Sequence, residues 1–270
     1  MSLHDFATAH SGFPDTPRGF SRRDFLKSSL AVAAACAIPG CDSSTNVTPP
    51  GDPRLTATPG SPTIAATLGL TALEIAEDRD GLLYVPEGYT GDVALPLLVL
   101  LHGASGDARF WLDYRYIAEE RDVIILMPDS RSATWDLIYG AFDSDVVFLD
   151  RALQHTFDRC LVDPEKVALG GFSDGATYAL SLGVSNGGLF THLVAYSPGF
   201  FVHAQLVGRP KVLVSHGTED TVLPVAGSRD GIVPELRDLG YDVTYKQFDG
   251  GHEIPGDIRV QSFNWLLRAD

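Results

Sequence analysis

GGFSDGAT, residues 170–177, sets one serine, Ser173, among Gly170, Gly171 and Gly175. The apolar run KVAL (166–169) precedes it and the helix-forming ATYALSL (176–182) follows. The pattern G-x-S-x-G at such a junction predicts a sharp strand-to-helix turn that pushes the hydroxyl out at the end of a sheet. Small residues flank the serine because side chains there collide with neighbouring backbone. The same turn aims the free N–H groups of the helix start at developing negative charge. A pentapeptide of this kind recurs by chance. Its meaning rests on whether the rest of the chain alternates strands and helices.

From about residue 66 it does. TALEIAED (71–78) and GLLYVP (81–86) are predicted as paired strands joined by a turn at Asp78 to Gly81. Apolar runs follow: LPLLVLLHG (95–103), VIILMPD (123–129), KVALGGFS (166–173), HLVAYSPG (192–199), KVLVSHG (211–217) and VTYKQFDG (243–250). Runs this apolar suit strands buried on both faces, as in a parallel sheet. Between them, residues 107–121 put Phe110, Tyr114, Ile117 and Ala118 on one helical side, and residues 143–160 do the same with Val146, Leu149, Leu153 and Phe157. Residues 226–240 end in Gly240, a helix stop, and 258–270 read as a closing helix. The expected fold is a three-layer α/β sandwich. It has a mostly parallel sheet of roughly eight strands, helices on both faces, and loops clustered at the strand C-terminal ends.

The chain has 270 residues, 44% hydrophobic and 20% charged, enough for one substantial core. A formal net charge of −15 argues against nucleic-acid binding, which needs Lys/Arg patches to neutralise phosphates. Of the three cysteines, Cys36 and Cys41 fall in the leader, so Cys160 alone rules out a disulfide framework.

Residues 1–41 read as an address. SRRDFLK (21–27) and the short apolar SSLAVAAACAIPG (28–40) form an export signal, of twin-arginine type through Arg22 and Arg23. Its partner is the twin-arginine export machinery, which carries proteins already folded. AIPGC, ending at Cys41, resembles a bacterial lipoprotein cleavage box. That resemblance makes Cys41 the lipidated first residue of the mature protein and a membrane tether. Cleavage after ACA (35–37) is the alternative and releases a soluble protein. Either way the protein is placed outside the cytoplasm, in the periplasm or beyond. Residues 42–65, rich in Pro, Thr, Ser and Gly, are expected to be a flexible tether, and 66–270 the catalytic domain.

Serine needs a base to become a nucleophile. Among eight histidines, His252 lies in a Gly-bracketed loop, FDGGHEIP (248–255), just past the last strand. A base needs an acid to fix its tautomer, and Asp220 follows the strand KVLVSHG in its own loop. Ser173, Asp220 and His252 thus appear in the order Ser…Asp…His of α/β-hydrolases. Asp249 and Glu219 compete less well for the acid's role. Asp174 is expected to cap the helix, and His216 to be a satisfied structural residue at a strand end. The oxyanion donors are expected to be the backbone N–H groups of Asp174 and of Ala104, in the loop LHGASGD (101–107), which His102 braces.

LLVLLHGASGD (97–107), GGFSDGATYALSLG (170–183), SHGTEDTVLPV (215–225) and GGHEIP (250–255) together resemble the phospholipase/carboxylesterase family of the α/β-hydrolases, which includes acyl-protein thioesterase-like serine esterases. The likeness covers most of residues 80–270. It implies a serine hydrolase cleaving carboxylic esters or thioesters, without cofactor or metal, with Ser173 as nucleophile, His252 as base and Asp220 as its orienter. This chain departs from the family's frequent Gln or Met after the nucleophile by carrying Asp174. Only about a dozen residues separate AYSPG (195–199) from the next strand, so no lid is expected. Trp111, Trp135, Phe200 and Phe201 are the expected walls of an open cleft suited to short or soluble esters. The same fold serves peptidases, amidases and polyester depolymerases, and also binding proteins that have lost a triad member.

Overall fold

The computed structural model describes residues 51–203 and 205–268. The export signal, the lipoprotein box and Cys41 lie outside the described residues. Eight strands form one sheet: β1 (Gly69–Ala72), β2 (Gly81–Val85), β3 (Leu95–Leu101), β4 (Ile124–Pro128), β5 (Val162–Phe172), β6 (His192–Tyr196), β7 (Lys211–Gly217) and β8 (Val243–Phe248). Their spatial order is β1-β2-β4-β3-β5-β6-β7-β8. The β1–β2 and β2–β4 pairs are antiparallel and every other pair is parallel. The helices are α1 (Tyr114–Glu119), α2 (Ser144–Phe157), α3 (Asp174–Ser185), α4 (Val233–Asp238) and α5 (Gly256–Leu266).

The apolar runs work because alternate residues face opposite layers. Leu97, Val99 and Leu101 of β3, with Ile124 and Leu126 of β4, join the core beneath α2, α3 and α4. Leu98, Leu100, Ile125 and Met127 point the other way, into the core shared with α1 and α5. The central parallel strands β3, β4 and β6 therefore bury both faces, while the edge strand β8 is half-exposed and carries Thr244, Lys246 and Gln247. All twelve residues of α3 are buried, so the helix that follows Ser173 is clamped along its length.

Three expectations need correction. The first strand is Gly69–Ala72, earlier than 71–78. The Asp80 carboxylate captures the N–H groups of Glu74, Ile75 and Ala76, which curls 73–80 into a loop. The single helix over 107–121 is broken into a 3-10 turn, Ala108–Trp111, and α1. Asp107 caps that turn through the Arg109 N–H, while Asp129 holds the Ala108 N–H at 2.6 Å. The tether over 42–65 is docked in its described part. Asn186 donates to the Pro53 carbonyl and accepts from the Leu55 N–H at 2.8 and 2.9 Å. Asp150 takes the N–H groups of Thr56 and Ala57 and the Thr56 hydroxyl. The Asp158 carbonyl accepts from Thr63 and Ile64. Proline-rich composition favours an extended chain. Two side chains on the domain surface turn that extended chain into a strap.

Candidate active site

Ser173 stands between β5 and α3 with φ 57° and ψ −120°. A non-glycine residue held there stores roughly 1–3 kcal/mol of strain, which the surroundings must over-determine. They do so through glycines. A Cβ on Gly171 would come within 2.8 Å of the Ala176 nitrogen, and one on Gly175 within 2.5 Å of the His102 carbonyl oxygen. The start of α3 therefore lies directly against the ends of β5 and β3. The Ser173 N–H donates to the Tyr196 carbonyl at 2.9 Å, tying the turn to β6.

Asp174 does not cap α3. Ser173 occupies the N-cap position, and the Asp174 carboxylate instead accepts the Thr134 hydroxyl at 2.7 Å. Burial pushes the Asp174 carboxyl above its ordinary pKa, against the pull of the Thr134 bond and the charge of His252.

His252 and Asp220 are brought together from two separate strand ends, as expected. His252 Nδ1 lies 2.6 Å from Asp220 Oδ2, and the Asp220 side chain is wholly buried. Asp220 Oδ1 accepts the N–H groups of Val222 and Leu223, both at 2.9 Å. Burial alone would raise this carboxyl. The His252 bond and the two amides outweigh burial and hold its pKa below the usual value, so it stays ionised. The His252 ring packs 4.7 Å from that of Phe172, the residue before the serine. The imidazole therefore packs against the residue before Ser173, with its Nδ1 side facing Asp220.

The loop after β3 passes beside Ser173: a Cβ on Gly103 would lie 3.3 Å from Ser173 Cβ. His102 braces it, as expected. Its Nδ1 lies 2.7 Å from the Gly103 carbonyl and so donates, leaving Nε2 to accept the Ser130 N–H at 3.0 Å. Burial depresses the His102 pKa and keeps the ring neutral. Fixing the Gly103 carbonyl also fixes the Ala104 N–H, because both belong to one planar peptide.

The expected walls need correction. Trp111 and Trp135 are 0% exposed and Phe201 7%, so they are core residues, and Phe200 packs partly buried against the core. Trp135 instead donates its indole N–H to the His102 carbonyl at 2.8 Å, holding the loop after β3. The ring beside the site is Phe172, stacked at 5.4 Å and 10° on Phe110, which is 49% exposed. Sequence reasoning had put Phe110 on the buried side of a continuous helix, and the break before α1 turned it outward.

The segment carrying Thr134 and Trp135 is held by Asp145, at the start of α2. Its oxygens accept the N–H groups of Arg131 and Asp136, each at 2.6 Å. Burial, which outweighs these bonds, and the neighbouring Asp136 charge push the Asp145 pKa from 3.8 up to about 6. An acid that binds its proton more tightly in the folded state supports folding fully below its unfolded pKa. That support, on the order of 2–3 kcal/mol, is lost as pH rises from about 4 through 6. Melting temperature is therefore expected to fall more steeply over this window in the wild type than in Asp145→Asn. Equal slopes in calorimetry would remove Asp145 as the cause.

Residues 19–39 match the twin-arginine translocation signal sequence, and residues 136–263 match the family described as phospholipase/carboxylesterase. Over 166 residues the chain is 25% identical to acyl-protein thioesterase 1 of Gibberella zeae, covering 57% of this chain and 66% of that protein, just under two thirds of its length. The solved structure of esterase PE8 shares 25% identity at a TM-score of 0.57, over 69% of this chain and 96% of that one. An S-formylglutathione hydrolase of Staphylococcus aureus, 16% identical, shares the fold at a TM-score of 0.62 over 77% of this chain and 100% of its own. The chain carries a signal for export, and its residues 136–263 are similar to the phospholipase/carboxylesterase family.

Proposed function

We propose that this exported hydrolase cleaves carboxylic esters or thioesters through an acyl-enzyme on Ser173. His252 is the general base and Asp220 its orienter. His252 Nε2 takes the proton of Ser173 Oγ as the oxygen attacks the carbonyl carbon, and the carbonyl electrons move onto its oxygen. The resulting oxyanion is met by the N–H groups of Ala104 and Asp174, each worth about 3 kcal/mol of barrier. The imidazolium then gives its proton to the leaving alcohol or thiol as the ester bond breaks. Water, activated by the same ring, releases the acid and restores the serine. No step needs a metal or cofactor.

The observation that carries this reading is the strained Ser173 backbone, φ 57°, held between two glycines whose Cβ positions are blocked. Strain is retained where a group must be presented. The His252–Asp220 bond supports the same reading. A fluorophosphonate probe is expected to label the protein at Ser173 and not to label Ser173→Ala. Intact mass of the labelled mature protein reads the adduct, the cleavage point and any lipid on Cys41 together. Labelling that survives Ser173→Ala would overturn the assignment.

The described part of the segment between β6 and β7, residues 198–210, carries no helix to act as a lid. The reading therefore extends to short or soluble acyl esters. Among acetyl, butyryl and palmitoyl nitrophenyl esters, kcat/KM is expected to favour the first two. A clear palmitoyl preference would overturn this part alone.

A further inference from the structure

The Asp220 carboxylate faces a second histidine. His216, at the end of β7, is 0% exposed, and its Nε2 lies 3.2 Å from Asp220 Oδ2, the oxygen that accepts from His252. The same Nε2 is 2.7 Å from the Leu223 carbonyl, and Nδ1 is 2.8 Å from the Ser228 hydroxyl. A carbonyl only accepts, so Nε2 carries the ring proton. Nδ1 is then an acceptor, and the Ser228 hydroxyl spends its one proton there. Its other oxygen neighbour, the Pro198 carbonyl, is 3.5 Å away, at the limit of a hydrogen bond.

This chain closes on itself. His216 holds the Leu223 carbonyl, while the Leu223 N–H holds Asp220 Oδ1 at 2.9 Å. The turn bearing the acid is thus pinned on both sides. The positive edge of the His216 ring also lies beside Oδ2, favouring the ionised carboxylate. The opposite tautomer would set a ring lone pair against both the Leu223 carbonyl and Oδ2, so these two acceptors select against it. A merely structural histidine needs its two ring nitrogens satisfied. It does not need to share the oxygen that orients the base.

We propose that His216, with its Nε2–H fixed by the Leu223 carbonyl and its Nδ1 satisfied by Ser228, is a positioning residue that holds Asp220 Oδ2 in line with His252 Nδ1. The inference rests on the Ser173–His252–Asp220 reading above. A 1 Å misplacement at a reacting pair costs about a hundredfold in rate. His216→Ala is therefore expected to lower kcat by about thirtyfold, with KM within about twofold of wild type. His216→Gln, which returns an N–H donor at the reach of Nε2, is expected to recover most of that loss. Ser228→Ala is expected to lower kcat by about fivefold with KM again unmoved.

A proton spectrum supplies the second readout. The low-field resonance of the proton between His252 and Asp220 is expected in wild type and His216→Gln, and to broaden or move upfield in His216→Ala and Ser228→Ala. If His216→Ala does not fold, the Gln and Ser228 variants carry the test alone. Turnover within threefold of wild type with an unchanged resonance would overturn the proposal. So would a loss in His216→Gln as large as that in His216→Ala, or an effect confined to KM. Fluorophosphonate labelling separates the two levels. A wild type that does not label at Ser173 sinks the triad reading and this inference with it. A wild type that labels, with variants at full turnover, sinks this inference only.

Discussion

Asp220→Asn is expected to lower kcat toward a neutral ester by about ten thousandfold, with the protein still folded. Asp220 Oδ2 accepts from His252 Nδ1 at 2.6 Å, so the carboxylate forces the ring proton onto Nδ1 and leaves Nε2 basic. An asparagine can keep the Val222 and Leu223 amides on its carbonyl oxygen, which then turns its NH2 group toward His252. That N–H needs an acceptor at Nδ1, and the proton shifts to Nε2. The base is then protonated on the side that should receive the serine proton. Loss of the negative charge also leaves the imidazolium of the transition state uncompensated in a buried site. Steady-state kcat at pH 8, beside circular dichroism to confirm folding, checks this. A variant within tenfold of wild type would mean that Asp220 does not orient the base.

Gly175→Ala is expected to cost more than about 4 kcal/mol, lowering the melting temperature by roughly 10 °C, and to abolish labelling of Ser173. The added Cβ would meet the carbonyl oxygens of both Leu101 and His102. These atoms belong to the end of β3 and the start of the loop after it, and neither is the free end of a flexible side chain. The clash can be relieved only by moving α3 off the sheet, which buries every residue of that helix. The displacement would carry the Asp174 N–H away from Ser173. Thermal unfolding and probe labelling read the two consequences separately. A melting temperature within about 3 °C of wild type would show that the elbow is less tightly packed than its geometry implies.

These two sites differ in how they were reached. The elbow was legible in residues 170–177 because every constraint on it is local: a strand, a turn flanked by glycines with no room for a Cβ, and a helix start. Ser173, Asp220 and His252 were legible for a related reason. A parallel sheet sends the end of every strand to one edge, so three residues each just past a strand are neighbours whatever lies between them in the chain. The family's own order of motifs added to that reading.

Other features were not legible because long-range bonds decided them. Trp111 and Trp135 read as cleft walls by type, yet both are wholly buried, and Trp135 supports the loop of His102 instead. The tether over 42–65 read as mobile by composition. Asn186 and Asp150, more than ninety residues away, dock its described part. Asp174 read as a helix cap by position, but Thr134, forty residues away, takes its carboxylate.

By itself, the sequence determined the parallel sheet, the elbow and the order in which Ser173, Asp220 and His252 follow their strands. Periodicity and glycine placement act over a few residues and survive in any arrangement of the remainder. Only the tertiary structure decided which polar partner each of those side chains received: His216 beside Asp220, Thr134 on Asp174, Phe172 over His252. A hydrogen bond or ring contact depends on the distance between atoms brought together by folding, and no local pattern encodes it.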